Sequence, residues 1–233
     1  MKVEPLIEPP IDEASALDTK QRLLDAAIKV FSQKGFQASS MRAITREAGT
    51  SLSAANYHFG SKEELLRAAL RARADVLNAR RLELLNQASS GGAGSLTVEA
   101  VLDAFIRPVF ERQAAMKAQG LIPPGLAIRL YLDPPEVISK IRQEAFESTN
   151  REFAEALGKA LPGSSEESVE EVLRFVLGVV VYAVSEWKEA AQRTSPDTGE
   201  GYPRLERVVS FAAAGARAVA SIPSQPRASG ELL

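Results

Sequence analysis

The 233-residue chain contains no cysteine. That excludes disulfides, thiolate metal sites and a cysteine nucleophile, and it fits a reducing compartment. Histidine is almost as scarce, with His58 standing alone. No apolar run approaches the roughly 18 residues a membrane span requires. The longest, Phe175 to Val184, is interrupted by Gly178. The N-terminus lacks the cationic start and apolar run of a secretory leader, so a cytoplasmic location is expected. No stretch alternates apolar and polar residues long enough to demand a strand. There is no glycine-rich phosphate loop and no cluster with metal-ligand spacing. The acids Glu166, Glu167, Glu170 and Glu171 read as a solvated helix start. These absences argue against an enzyme, and no cofactor is expected.

What remains is the composition of a globular protein, 45% hydrophobic and 25% charged,. The net charge of −2 hides an asymmetry. Residues 18–71 carry nine bases (20, 22, 29, 34, 42, 46, 62, 67 and 71) against five acids (18, 25, 47, 63 and 64). The segments on either side are each net acidic. A basic segment on an acidic chain suits a localised anionic partner such as DNA, although random scatter gives the same numbers.

The periodicity predicts an all-α protein. Residues 1–17, with Pro5, Pro9 and Pro10, read as a flexible arm,. A first helix is expected from Asp18 or Thr19, with Leu23, Leu24, Ala27, Ile28 and Phe31 on one face and a stop at Lys34-Gly35,. Two short helices follow, from Ser39 or Ser40 to Ala48 and from Leu52 to His58. A fourth opens at Ser61, where Glu64 completes a Ser-x-x-Glu capping box, and runs to about Ala88,. Further helices are expected near 97–118, 123–132, 135–161, 166–193 and 203–221, separated by Gly and Pro. This divides the chain into an arm (1–17), a helix-turn-helix domain (18–63), a helical domain (64–221) and a frayed tail (222–233).

Residues 40–59, SMRAITREAGTSLSAANYHF, hold the functional signal. Two short helices around a tight turn at Gly49 have the span of a helix-turn-helix. Ile44, Ala48, Leu52, Ala55 and Phe59 are expected to pack inward. Ser53, Ala54, Asn56, Tyr57 and His58 form the other face, small or polar enough for a major groove, with Asn suited to adenine and Tyr or His to phosphate. Ser39 and Ser40 make a helix start suited to phosphate, as do Ser61 and Lys62. Arg42 is placed to reach a base edge or a phosphate.

From Thr19 to Leu65 the sequence resembles the N-terminal domain of the TetR family of bacterial transcriptional regulators. The resemblance lies in Phe31 to Phe36, Ser39-Ser40-Met41-Arg42-Ala43-Ile44, Glu47-Ala48-Gly49, and Tyr57-His58-Phe59-Gly60-Ser61-Lys62-Glu63-Glu64-Leu65. It implies a sequence-specific regulator, a repressor released from double-stranded operator DNA by a small-molecule ligand. The third helix would be the recognition helix, and Arg42, Ser53, Ala54, Tyr57, His58 and Lys62 the DNA-facing set. Thr45 and Thr50 depart from the family, standing where small apolar residues are usual. Each adds a hydroxyl that needs a partner, which a helix carbonyl would supply for Thr45.

The resemblance also implies a homodimer built from the last two helices. Val172, Val176, Val180, Val184, Val208, Ala212 and Gly215 are the expected interface, with Phe175, Val179 and Tyr182 on the opposite side. The alternative is that these helices form the monomer core. For the pocket, Phe105, Phe110, Leu130, Phe146 and Phe175 are candidate lining, plain core packing being the alternative, and an apolar ligand is expected. Arg107 and Arg129 flank this set as carboxylate receivers or as solvated surface residues. A helical protein-interaction adaptor with no ligand remains the rival reading.

Overall fold

The structure, a computed structural model, describes residues 13–91, 96–118, 136–193 and 204–222. All regular elements among them are helical: α1 (Glu13–Lys34), α2 (Met41–Ala48), α3 (Leu52–Phe59), α4 (Lys62–Ser89), α5 (Val98–Ala118), α6 (Glu136–Ala160), α7 (Glu166–Arg193) and α8 (Leu205–Ala220). None is long and apolar enough to cross a membrane. The expected helix at 123–132 and Leu130 lie outside the described residues. So do Arg129 and residues 223–233. The chain divides into two compact units, Met1–Arg71 and Ala72–Leu233. The division falls within α4, past the expected boundary at residue 63.

α1 begins at Glu13, so residues 13–17 are helical and do not belong to an arm. The prolines that argued for an arm all precede this point, and Glu13-Ala14-Ser15-Ala16-Leu17 contains no helix breaker,. Within the first unit, Leu23, Ala27, Ile28 and Phe31 of α1 are buried with Ile44 of α2 and Ala55 and Phe59 of α3. Leu65 and Leu66 at the start of α4 are buried too.

The short helices are defined by their caps, since two turns of helix are marginal in isolation. Ser40 Oγ accepts from the Ala43 N–H at 3.2 Å, and Ser51 Oγ accepts from the Ala54 N–H at 3.0 Å. Gly49 ends α2 at φ 62°, ψ 38°, the left-handed region where a side chain is strained,. Ser61 Oγ accepts from the Glu64 N–H at 3.1 Å. The other half of the expected capping box is replaced, because the Ser61 N–H donates to the Phe59 carbonyl.

The second unit is built on α5. Val101, Leu102 and Ile106 are fully enclosed, with Phe153 and Leu157 of α6, Val172 and Val176 of α7, and Ala213 and Ala216 of α8. The Phe105 and Phe153 rings meet edge to face, 5.1 Å between centroids. Pro108 lies inside α5 and removes one donor from its ladder,.

Candidate nucleic-acid interface

The turn between α2 and α3 is held from behind by Arg22 of α1. Its Nη2 donates to the carbonyls of Ala48 at 2.6 Å and Gly49 at 2.8 Å, and its Nε to Ala48 at 3.1 Å. The last carbonyls of a helix have no partner within it, and a guanidinium fork satisfies two of them together. A Cβ at Gly49 would lie 3.0 Å from Arg22 Nη2. Lys29 of α1 pairs with Glu47 of α2 on the surface. The orientation of α3 is thus fixed by apolar packing on one side and by Arg22 at its entry.

The outward face of α3 carries Ser53, Asn56 and Tyr57, all exposed. Tyr57 is 76% exposed, an unusual position for an aromatic residue whose ring contact among the described residues is with its neighbour,. That neighbour is His58, whose ring meets Tyr57 edge-on at 5.3 Å and 74°. Ala54 and His58 are half-buried at the margins of the face. Ser40 and Arg42 are exposed at the start of α2. Leu52, expected inside, is exposed at the first position of α3. A leucine there offers an apolar surface to a thymine methyl. The signal for it was its place directly after the Ser51 cap.

Two expected phosphate contacts are corrected. Ser39 is buried, and its hydroxyl donates back to the Gly35 carbonyl. Lys62 turns inward: Nζ donates to the carbonyls of Phe36 at 2.9 Å and Ser39 at 3.0 Å and sits 4.3 Å from the centre of the Phe36 ring. An ammonium with three donors suits the orphan carbonyls between α1 and α2 as well as it suits a phosphate. Sequence spacing does not separate these uses. Of the two unusual threonines, Thr45 Oγ1 donates to the Arg42 carbonyl at 3.2 Å, as expected, whereas Thr50 Oγ1 is buried without a partner among the described residues.

The second unit corrects the expected interface and pocket. Val172, Val176, Val180, Val184 and Ala212 are buried in the chain's own core, and Val208 packs against it. Only Gly215 of that set is exposed. The outward stripe of α7 instead carries Phe175, Gly178 and Tyr182, and that of α8 carries Phe211, Ala214, Gly215 and Ala218. Phe175, Tyr182 and Phe211 are each more than half exposed. A helix apolar on two sides has two candidate inward faces, and the aliphatic stripe took the core. Among the pocket candidates, Phe105 and Phe110 are buried and Phe146 is half-buried, but Phe175 points outward. A cavity of about 840 Å³ between α6 and α7 has a mixed lining, with Phe105, Val169 and Leu173 beside charged residues that include Glu147, Arg151 and Arg174. Arg107 is engaged by Asp103 in a two-pronged pair at 2.7 and 2.8 Å.

A braced turn followed by a short helix with an exposed polar face defines a helix-turn-helix transcriptional regulator. Residues 23–69 match the family model described as bacterial regulatory proteins, tetR family. Residues 103–215 match that of the tetracyclin repressor-like C-terminal domain. The HTH-type transcriptional regulator TtgW of Pseudomonas putida is 34% identical over 95 residues, 41% of this chain and 69% of that protein. The nicotine-responsive transcriptional repressor HdnoR of Paenarthrobacter nicotinovorans is 44% identical over 55 residues, 24% of this chain and only 28% of its own length. Two solved structures share the fold. A tetR family transcription regulator from Shewanella sp. PV-4 has a TM-score of 0.59 at 19% identity, over 88% of this chain and 99% of that one. FadR from Bacillus subtilis, solved with stearoyl-CoA, has a TM-score of 0.59 at 15% identity, over 86% and 97%. The chain belongs to the TetR family.

Proposed function

We propose that this regulator is a homodimeric repressor acting in the cytoplasm, which reads a two-fold operator with α3 and is released from it by a small-molecule ligand. The observation that carries the reading is the exposed face of Ser53, Asn56 and Tyr57, flanked by Arg42 and held by the Arg22 brace. Asn56 and Ser53 supply base-edge hydrogen bonding, and Tyr57 and Arg42 supply phosphate or base contacts. The aromatic and small residues on the outward stripes of α7 and α8 support a second copy packing there,. Two α3 helices related by a two-fold axis would enter successive major grooves about 34–36 Å apart. That one relative is nicotine-responsive, and that one fold neighbour was solved with stearoyl-CoA, supports a ligand-responsive mechanism.

The test is selection of bound sequences from random duplex DNA, followed by titration of the enriched site at two salt concentrations. A palindromic site whose affinity falls steeply with salt is expected. No enriched sequence, with only weak low-salt binding, would favour an adaptor that binds protein alone.

A further inference from the structure

Within the second unit, two contacts set α4 against α5. Arg80 pairs with Glu111 through two bonds of 3.1 Å, and Arg81 Nε donates to the Phe105 carbonyl at 2.9 Å. Arg81 is 3% exposed, and its guanidinium lies 3.8 Å from the Phe105 ring centre and 5.8 Å from that of Phe146. The facing stretches thus run through residues 73–81 of α4 and 105–113 of α5.

Three polar side chains in these stretches have unmet needs. Asn78, 9% exposed, spends its Nδ2 on the Ala145 carbonyl at 2.9 Å and leaves Oδ1 buried without a partner among the described residues. Gln113, also 9% exposed, leaves Oε1 in the same condition. Beside it, Arg112 is half-buried, and among the described residues no hydrogen bond or ion pair reaches its guanidinium. Burial, and secondarily the like charge of Arg73, push its pKa below the ordinary arginine value. Neighbouring arginines are treated differently: Arg80 has Glu111 and Glu83, and Arg107 has Asp103. A cation withdrawn from water without a counter-ion is unfavourable, and so is an orphaned amide oxygen. The two defects call for opposite partners, an anion for Arg112 and a hydrogen-bond donor for the amides.

We propose that Arg112, Asn78 and Gln113 receive the polar end of the ligand, and that this ligand is an amphipathic carboxylate that also carries a hydroxyl or N–H. The carboxylate pairs with Arg112, the donor reaches Asn78 Oδ1 or Gln113 Oε1, and the apolar remainder lies along the Phe105 and Phe146 side. This rests on the ligand-release reading above and replaces the purely apolar ligand expected from the sequence.

The probes are 3-hydroxyalkanoates of graded chain length and hydroxybenzoates, each beside its neutral amide, with binding to the full-length protein measured by calorimetry. At least one carboxylate is expected to bind about tenfold or more tightly than its amide. Arg112→Gln is expected to abolish that preference while leaving amide binding in place. Equal affinity for acid and amide, no binding of any probe at millimolar concentration, or a preference that survives Arg112→Gln would each overturn the proposal. A second measurement needs no ligand. Arg112→Met is expected to raise the melting temperature of the unliganded protein, because it removes an uncompensated cation and keeps the stem. A lower melting temperature would mean that Arg112 has a partner in the protein, and the proposal would fall. Operator binding is measured separately. Its absence in wild type would sink the repressor reading and leave the carboxylate site standing.

Discussion

Arg22 reaches across 27 residues of sequence to the carbonyl of Gly49, 2.8 Å away, and closes the turn ahead of the reading helix. The brace is partly solvent-exposed, so its contribution to stability is modest, about 1 kcal/mol. Its contribution to operator binding is expected to be larger, because α3 must enter a groove in one orientation. Arg22→Ala should weaken operator binding at least tenfold. Its melting temperature should move by only a few degrees. Equal losses in gel-shift affinity and in thermal stability would show that the brace serves folding alone.

Lys62, turned inward, and Arg42, proposed to contact DNA, are expected to respond differently to removal. Lys62→Met keeps the stem near Phe36 but removes the donors to Phe36 and Ser39. It should destabilise the first unit, seen as faster amide exchange in the α1–α2 connection, and leave the salt dependence of operator binding unchanged. Arg42→Ala should do the reverse, lowering the slope of log affinity against log salt by about one. A unit loss of slope in Lys62→Met would restore it as a phosphate contact.

Thr50 offers a stabilising change. Its buried hydroxyl has no partner among the described residues, whereas that of Thr45 donates to the Arg42 carbonyl. Thr50→Val should raise stability by about 1 kcal/mol, and Thr45→Val should gain nothing. Chemical denaturation of the two variants side by side decides this.

The proposed dimer is tested on the outward stripes. Phe211→Glu, or Tyr182→Glu, should yield a monomer in analytical ultracentrifugation with helical content preserved, because both side chains are exposed. Val180→Glu should instead unfold the second unit, since Val180 is in its core. A dimer that survives both outward substitutions would place the interface elsewhere.

Stability should also fall in acid for an identifiable reason. Hydrogen bonds from Arg80 hold the Glu111 carboxyl below its ordinary value of 4.5. A hydrogen bond from Arg217 does the same for Glu99. A depressed folded-state pKa contributes stability above the unfolded value, and this is lost as pH falls through the folded one. Thermal melts of wild type should therefore decline below about pH 4.5, and less steeply in a Glu99→Gln, Glu111→Gln double variant.

The reading domain was legible because its signals are local. Ser40, Ser51, Ser61 and Gly49 each act within one turn of chain, so the caps and the turn follow from nearest neighbours. What failed was a choice between faces. α7 is apolar on both sides, and no local rule says whether Val176 or Phe175 turns inward, since the helices packed against it, α5, α6 and α8, decide it. Lys62 failed for a related reason: a cation beside a helix start serves a phosphate or a carbonyl equally, and the answer lay in Phe36 and Ser39. Asn78, Arg112 and Gln113 left no trace in the pattern, because their significance is the partner each lacks.

Pro108 leaves α5 one backbone donor short in mid-helix,. It removes a rung of the ladder between Phe105, to which Arg81 is bolted, and Arg112, which waits for a counter-ion. Both sides of that missing rung are fastened to α4, Phe105 through Arg81 and Glu111 through Arg80. A molecule that draws on Arg112 would therefore work against two fasteners that straddle the weak point of the helix.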